Sequence, residues 1–207
     1  MVSEPDALRV LGSDIASCST CFPAGGNTPV VALRPGARVL VIGQAPSLTD
    51  SRTGQTFSGP GGKRLRGWLE EAGVPLEDVS FSALTKCYPG RSAGGKGDRT
   101  PTRIEVLACC GFLEREIAVL QPRIVLLVGG MAIKELLSKQ TLAQVVGRAY
   151  AGADCPLIND AAPNAERVSV VPLPHCSGAS LWLNRPEHRA LLATGLNHVR
   201  RLYATLS

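Results

Sequence analysis

Several cysteines are spaced so that their thiolates could bind a metal. Cys18 and Cys21 form a C-x-x-C pair, and Cys87 and the adjacent Cys109 and Cys110 follow at a distance. Four thiolates suit a [4Fe–4S] cluster, and zinc uses the same kind of ligand set. The chain starts with the acidic segment MVSEPDALRV, without a basic and apolar leader, so we expect a cytoplasmic protein. In that compartment its seven cysteines favour metal binding over a disulfide framework.

Three glycine- or proline-rich loops carry the other side chains that could do chemistry. These side chains are the amide of Gln44, the ring of Phe57, the imidazole of His175 and the carboxylates of Asp50 and Asp98. Together they can hydrogen-bond, stack on a flat ligand and transfer a proton. The loops comprise residues 43–62, 86–101 and 172–185, and the long glycine-rich part of the second is expected to be mobile.

The elements around these loops predict an α/β fold in a single domain, residues 1–207. Short apolar runs predict buried strands at 38–43, 79–84, 124–128 and 168–171. Apolar residues at spacings of three and four predict helices at 63–72, 102–120, 131–137 and 186–202, and residues 150–166 look irregular. We therefore expect an open, mostly parallel four-stranded sheet with helices on both faces. Ligands bind at the carboxyl ends of such strands, where the three loops should meet.

The positive charge is concentrated in two segments of the chain. Residues 52–103 contain nine basic and five acidic side chains, and residues 185–201 contain four arginines and one glutamate. The whole chain carries a net charge of +5, and such clustering favours a phosphate-binding surface. No apolar run reaches the roughly 18 residues that a membrane span needs, so no membrane contact is expected.

The motifs resemble, in order, those of the uracil-DNA glycosylase superfamily, and especially its iron–sulfur branch, called family 4. The segments GQAPS at 43–47 and GQTFSG at 54–59 resemble Gly-Glu-Ala-Pro-Gly and Gly-Arg-Pro-Phe-Val-Gly of that family. Lys86-Cys87, followed by Pro101-Thr102 and Ala108-Cys109, resembles the region of the second pair of cluster cysteines. The turn at 129–132 and the loop at 175–178 come in the expected order. The resemblance covers about residues 18 to 202.

This resemblance implies a monofunctional DNA glycosylase. Such an enzyme flips a deaminated base out of DNA, uracil above all, and hydrolyses its N-glycosidic bond. The resemblance also implies a structural [4Fe–4S] cluster held by Cys18, Cys21, Cys87 and Cys109. DNA that contains a damaged base is the expected partner, and the protein is expected to be a monomer.

The resemblance also implies the residues that bind the base. Phe57 would stack on the flipped base, and the Gln44 amide and the backbone N–H groups of Gln44 and Ala45 would hydrogen-bond to it. Ala83 stands where family 4 has an asparagine that reads the edge of uracil. Loss of that amide should weaken uracil selectivity and admit other deaminated bases, such as hypoxanthine or xanthine.

The catalytic residues follow from the same comparison. His175 matches the histidine of the family's His-Pro-Ser loop, whose proline is Cys176 here. A neutral imidazole there can donate a hydrogen bond to the base oxygen as the glycosidic bond breaks. Ala45 stands where the classical uracil enzymes have an aspartate that orients water. Asp98 and Asp50 are therefore the candidate carboxylates for activating water.

The contacts to the DNA backbone and duplex are implied in the same way. Ser177 matches the family serine and should contact a phosphate. Either Leu181 or Trp182 would wedge into the duplex and fill the gap left by the flipped base. The basic candidates for binding the backbone are Lys63, Arg64 and Arg185.

Two other functions remain open at this point. The first is a DNA-binding protein for damaged bases with little turnover, because Ala45 and Ala83 remove two polar groups from the pocket. The second is a nucleotide- or phosphate-binding α/β domain that uses the glycine-rich loop. Neither the P-loop pattern nor the Gly-x-Gly-x-x-Gly pattern between strand and helix is present, which disfavours the second.

Overall fold

The structure, a computed structural model, describes residues 2–22, 28–94, 97–137, 141–178 and 180–206. Five strands of these residues form one sheet in the order β2-β1-β3-β5-β4. The first four in that order are parallel, and β4 is antiparallel to β5. The strands are β1 (Val39–Gly43), β2 (Val79–Ala83), β3 (Ile124–Val128), β4 (Tyr150–Ala151) and β5 (Ser169–Leu173).

The prediction of four strands is wrong by one. The additional strand, β4, has two residues, and Tyr150 pairs with Val170 while Ala151 pairs with Ser169. Two residues are too few to show the alternation of apolar and polar side chains that marks a strand in a sequence. The strand exists because the edge of β5 offers it backbone hydrogen-bonding partners.

The helices surround the sheet and include all four that the sequence predicts, with ends shifted by three residues or fewer. The helices at 4–16, 48–53, 142–145 and 156–161 were not predicted. No helix in the described ranges is long and apolar enough to cross a bilayer. The helices are α1 (Glu4–Ala16), α2 (Leu48–Thr53), α3 (Pro60–Glu71), α4 (Arg103–Leu120), α5 (Gly130–Leu136), α6 (Leu142–Val145), α7 (Pro156–Ala161) and α8 (Pro186–Ala204).

The two faces of the sheet pack against different helices. Along β1, Leu40 and Ile42 face the core formed with α1, α4, α5 and α7. Val39 and Val41 face the core formed with α3 and α8. Because successive side chains of a strand point to opposite faces, one short apolar run supplies both cores. The four parallel strands therefore lie between two layers of helices.

Candidate active site

A cavity of about 620 Å³ lies at the carboxyl ends of the parallel strands. Residues of all three loops line it, together with Ala83 and Val128 at the ends of β2 and β3. This volume is within the range of small-molecule sites. Eight of the residues predicted from the sequence line it: Gln44, Ala45, Asp50, Phe57, Ala83, Asp98, His175 and Ser177.

The ring of Phe57 forms part of one wall of the cavity. It lies so close to Gly43 that a Cβ there would be 2.7 Å from the ring's Cζ atom, so a larger residue at the end of β1 would displace the ring. The ring of Phe81 supports it from the sheet, with 5.6 Å between the ring centroids and 49° between the planes. Phe57 is thus half-buried on one side and faces the cavity on the other.

Asp50 is buried and holds the first loop together. Its Oδ2 accepts a hydrogen bond from the Ser47 backbone N–H (2.8 Å), which completes the capping box at the start of α2. Its Oδ1 accepts hydrogen bonds from the backbone N–H and the hydroxyl of Ser58, at 2.7 and 2.8 Å. Both carboxylate oxygens therefore have partners inside the loop.

The described part of the second loop has contacts on both sides, and residues 95–96 lie outside the described ranges. Arg91 and Asp98 form an antiparallel bridge, and Arg99 pairs with Glu105 in the first turn of α4. The hydrogen bonds from Arg99 and Thr102 lower the pKa of Glu105 to about 2. The Asp98 carboxylate is exposed at the cavity, where its Oδ1 accepts a hydrogen bond from the Tyr88 hydroxyl at 2.9 Å.

His175 follows β5 in a conformation that defines its tautomer. The Ser177 backbone N–H donates to its Nδ1 at 3.1 Å, and the Ser177 hydroxyl lies 2.9 Å from the same atom. Because Nδ1 accepts the hydrogen bond from this N–H, the neutral ring carries its own hydrogen on Nε2. Burial lowers the pKa of His175 although the ring is exposed towards the cavity, which favours this neutral form. A Cβ on Gly129 would lie 2.9 Å from the ring's Cδ2 atom, so a glycine is required there.

A buried ion pair lies behind the β2 wall of the cavity and was not predicted. The Lys86 ammonium contacts a Glu116 carboxylate oxygen at 2.9 Å, the Ser82 hydroxyl at 2.7 Å and the Ala83 carbonyl at 3.0 Å. The side chains of Lys86 and Glu116 are only 4% and 3% exposed. The sequence did contain a signal, because Glu116 falls three residues after Leu113 on the apolar face of α4.

Two further cavity residues, Thr56 and Cys176, were not predicted as site residues. Thr56 is buried beside Phe57, and its hydroxyl has no hydrogen-bond partner among the described residues. It stands where the family motif has proline, a departure that was visible in the sequence. Burial raises the pKa of the Cys176 thiol to about 11, so this side chain is neutral and a poor nucleophile.

The residues predicted to bind DNA lie outside the cavity, apart from Ser177. Lys63 and Arg64 are exposed on the first turns of α3, and Arg185 is exposed immediately before α8. The Arg64 guanidinium donates to the Ser177 carbonyl at 3.4 Å, which connects α3 to the His175 loop.

The two candidate wedge residues differ in environment. Leu181 is 74% exposed, whereas Trp182 is partly buried against the core. The ring of Trp182 stacks on His188, with centroids 4.0 Å apart and planes 9° apart. Of these two residues, only Leu181 could insert into a bound duplex without breaking such a contact.

Comparison with known proteins assigns the family. The family model described as "Uracil DNA glycosylase superfamily" matches residues 31–197, which include every cavity-lining element described above. The chain belongs to this superfamily.

Several similar superfamily members are named Type-4 uracil-DNA glycosylase. The protein of Sulfurisphaera tokodaii is 25% identical over 208 residues, which cover 97% of this chain and 86% of that protein. The protein of Pyrobaculum aerophilum is 33% identical over 119 residues, 55% of this chain and 58% of that protein. The protein of Thermotoga maritima is 28% identical over 136 residues, 64% of this chain and 67% of that protein.

The four cysteines that the superfamily resemblance singles out are neighbours in the fold. Burial, together with the neighbouring thiols of Cys109, Cys18 and Cys21, raises the pKa of the Cys87 thiol to about 12. The Cys110 sulfur instead contacts the Leu107 carbonyl, at 3.0 Å. Four gathered thiols fit an iron–sulfur cluster or zinc by their chemistry.

The four thiols are not arranged as a coordination sphere in this structure. Within the ranges that the structure describes, no three His, Cys, Asp or Glu side chains are grouped closely enough to hold a metal ion. Residues 23–27, which follow Cys21, lie outside those ranges.

Proposed function

We propose that this protein is a DNA glycosylase that hydrolyses the N-glycosidic bond of uracil in DNA. Its superfamily membership and its Type-4 relatives support the reaction class. The observation that carries the proposal is the single cavity that Gln44, Phe57 and His175 line together, although they lie far apart in the chain. This combination suits a flipped nucleobase, which needs a stacking surface, an amide and a hydrogen-bond donor.

His175 acts on the base in this proposal. Its Nε2–H donates to a carbonyl oxygen of the flipped base, which becomes negatively charged as the glycosidic bond breaks. Ser177 keeps the required tautomer by donating to Nδ1. A donor fixed in this way needs no reorganisation during the reaction, and loss of one such donor typically costs about 10²–10³ in rate. His175→Ala should therefore slow single-turnover cleavage by about that factor.

Asp98 is the better candidate for activating the water. It is exposed at the cavity and fixed by one hydrogen bond from Tyr88, whereas both oxygens of Asp50 already have partners in their own loop. Asp98→Asn should slow single-turnover cleavage by at least about tenfold, the lower end of what a general base contributes. A wild-type rate would show that another group orients the water.

The substrate range should be wider than uracil alone. Ala83 presents only a methyl group at the end of β2, and the cavity of about 620 Å³ leaves space for a purine. We therefore propose hypoxanthine and xanthine as additional substrates. A panel of oligonucleotides with uracil, hypoxanthine, xanthine or thymine opposite each normal base, scored for abasic sites, tests this proposal. Tight binding without abasic sites on every substrate would instead favour a damaged-base binder.

We also propose that Cys18, Cys21, Cys87 and Cys109 hold a [4Fe–4S] cluster. The cluster would join the N-terminal segment to β2 and α4, and the base-excision step would not involve it. Iron and acid-labile sulfide should be lost in Cys109→Ser but kept in the matched control Cys110→Ser. A colourless protein that contains zinc would refute the iron–sulfur assignment.

A further inference from the structure

Phe57 has a backbone conformation that needs support. Its φ is 53°, and among the described residues only Gln121 is another non-glycine residue with positive φ. Gln121 lies at the end of α4, where a left-handed residue is common. Phe57 lies in a loop beside the cavity, and a bulky residue adopts this conformation only when its surroundings impose it.

The carbonyl group of Phe57 identifies one source of that support. The Arg66 guanidinium donates a hydrogen bond to it from Nη1, at 2.5 Å. Gly62 allows the approach, because a Cβ at that position would lie 1.6 Å from the same oxygen. The first turns of α3 thus fix the peptide that follows Phe57. A hydrogen bond from a charged donor is strong enough to offset strain of this kind.

Arg66 also contacts the side chain that supports the Phe57 ring. Its guanidinium carbon lies 4.9 Å from the centroid of the Phe81 ring, in a cation–π arrangement. Phe81 in turn packs against Phe57. Arg66 itself is not among the residues that line the cavity. One side chain therefore holds both the backbone and the packing partner of Phe57 without reaching the position of the base.

We propose that Arg66 is a positioning residue that directs the Phe57 ring into the base cavity. This inference rests on the proposed function, because it assigns a role to Phe57 in binding the flipped base. It predicts that the effect of Arg66 on catalysis passes entirely through Phe57. Removal of Arg66 should therefore matter only while the phenylalanine ring is present.

A double-mutant cycle tests this prediction directly. Single-turnover cleavage of a uracil-containing oligonucleotide is measured for the wild type, Arg66→Met, Phe57→Gly and the double variant. Phe57→Gly removes the ring and also relieves the left-handed strain. We expect Arg66→Met to slow cleavage about tenfold to a hundredfold, as misplacement of a contact group does. In the Phe57→Gly background the same change should alter the rate by less than about twofold.

Two further variants separate positioning from loss of charge. Arg66→Lys keeps the charge but loses the planar guanidinium, so its rate should lie between those of the wild type and Arg66→Met. Lys63→Met removes the same charge from the exposed face of the same helix. It should raise KM for DNA, as loss of a backbone contact does, whereas Arg66→Met should lower kcat.

The outcomes distinguish failure of this inference from failure of the proposed function. A wild-type protein that cleaves no substrate would overturn the function, and a fast Phe57→Gly variant would overturn the stacking role of Phe57. If Phe57→Gly is slow but the two losses simply add, or Arg66→Met is fully active, the positioning role alone is wrong. Thermal unfolding checks that each variant is folded. If the Arg66→Met protein does not fold, Arg66→Lys replaces it in the cycle.

Discussion

The buried pair of Lys86 and Glu116 allows a quantitative prediction about stability. Glu116→Leu would leave the Lys86 ammonium in a site where its side chain is 4% exposed, and its remaining hydrogen-bond partners among the described residues would be the Ser82 hydroxyl and the Ala83 carbonyl. Removing one member of a buried ion pair typically costs about 3–5 kcal/mol, because the remaining charge is neither solvated nor compensated. For a domain of this size, each kcal/mol lowers Tm by about 2–4 °C, so a decrease of about 6–20 °C is expected.

The assay is urea unfolding followed by circular dichroism, with linear extrapolation to water. The matched comparison is the double variant Lys86→Met/Glu116→Leu, which contains no buried charge and should recover at least half of the lost stability. Metal content is measured in every sample, because Lys86 precedes Cys87. If Glu116→Leu unfolds within about 1 kcal/mol of the wild type, or if the double variant is less stable than the single one, the reasoning is refuted.

Three other predictions follow from the site. Leu181→Ala should slow cleavage of duplex DNA about tenfold, the factor for a change near 1.4 kcal/mol, and leave cleavage of single-stranded DNA unaffected. Trp182→Ala should mainly lower Tm. If Leu181→Ala slows cleavage of both substrates equally, Leu181 is not a wedge. Burial lowers the pKa of His175 below 6.5, so the neutral ring contributes to activity and to stability above that pH. Both should decline only as the pH falls below 6.5. A single-turnover pH profile whose acid limb is centred above 6.5 would contradict this. Gly62→Ala should lower Tm and cleavage together, because its Cβ would lie 1.6 Å from the Phe57 carbonyl oxygen, and an unchanged Tm would show that the turn can relax.

Among the described residues, the sequence by itself determined four of the five strands, four of the eight helices and the edge of the sheet where the site lies. Apolar runs and helical spacing are local patterns, and four strands and four helices follow from them. The parallel arrangement then places the three loops at one edge of the sheet, and Gln44, Phe57 and His175 line one cavity there. The motif order also indicated the superfamily, because those residue types and spacings are constrained by the chemistry of the site.

Other features were decided by the tertiary structure, because they depend on partners distant in the chain. Strand β4 forms only against the edge of β5, and the partners Lys86 and Glu116 are 30 residues apart. The difference between the adjacent Cys109 and Cys110 depends on which side of α4 faces the other cysteines. Likewise, a hydrogen bond from Arg66 accompanies the left-handed backbone of Phe57. A local pattern shows which side chains face the interior, but only packing determines which of them meet there.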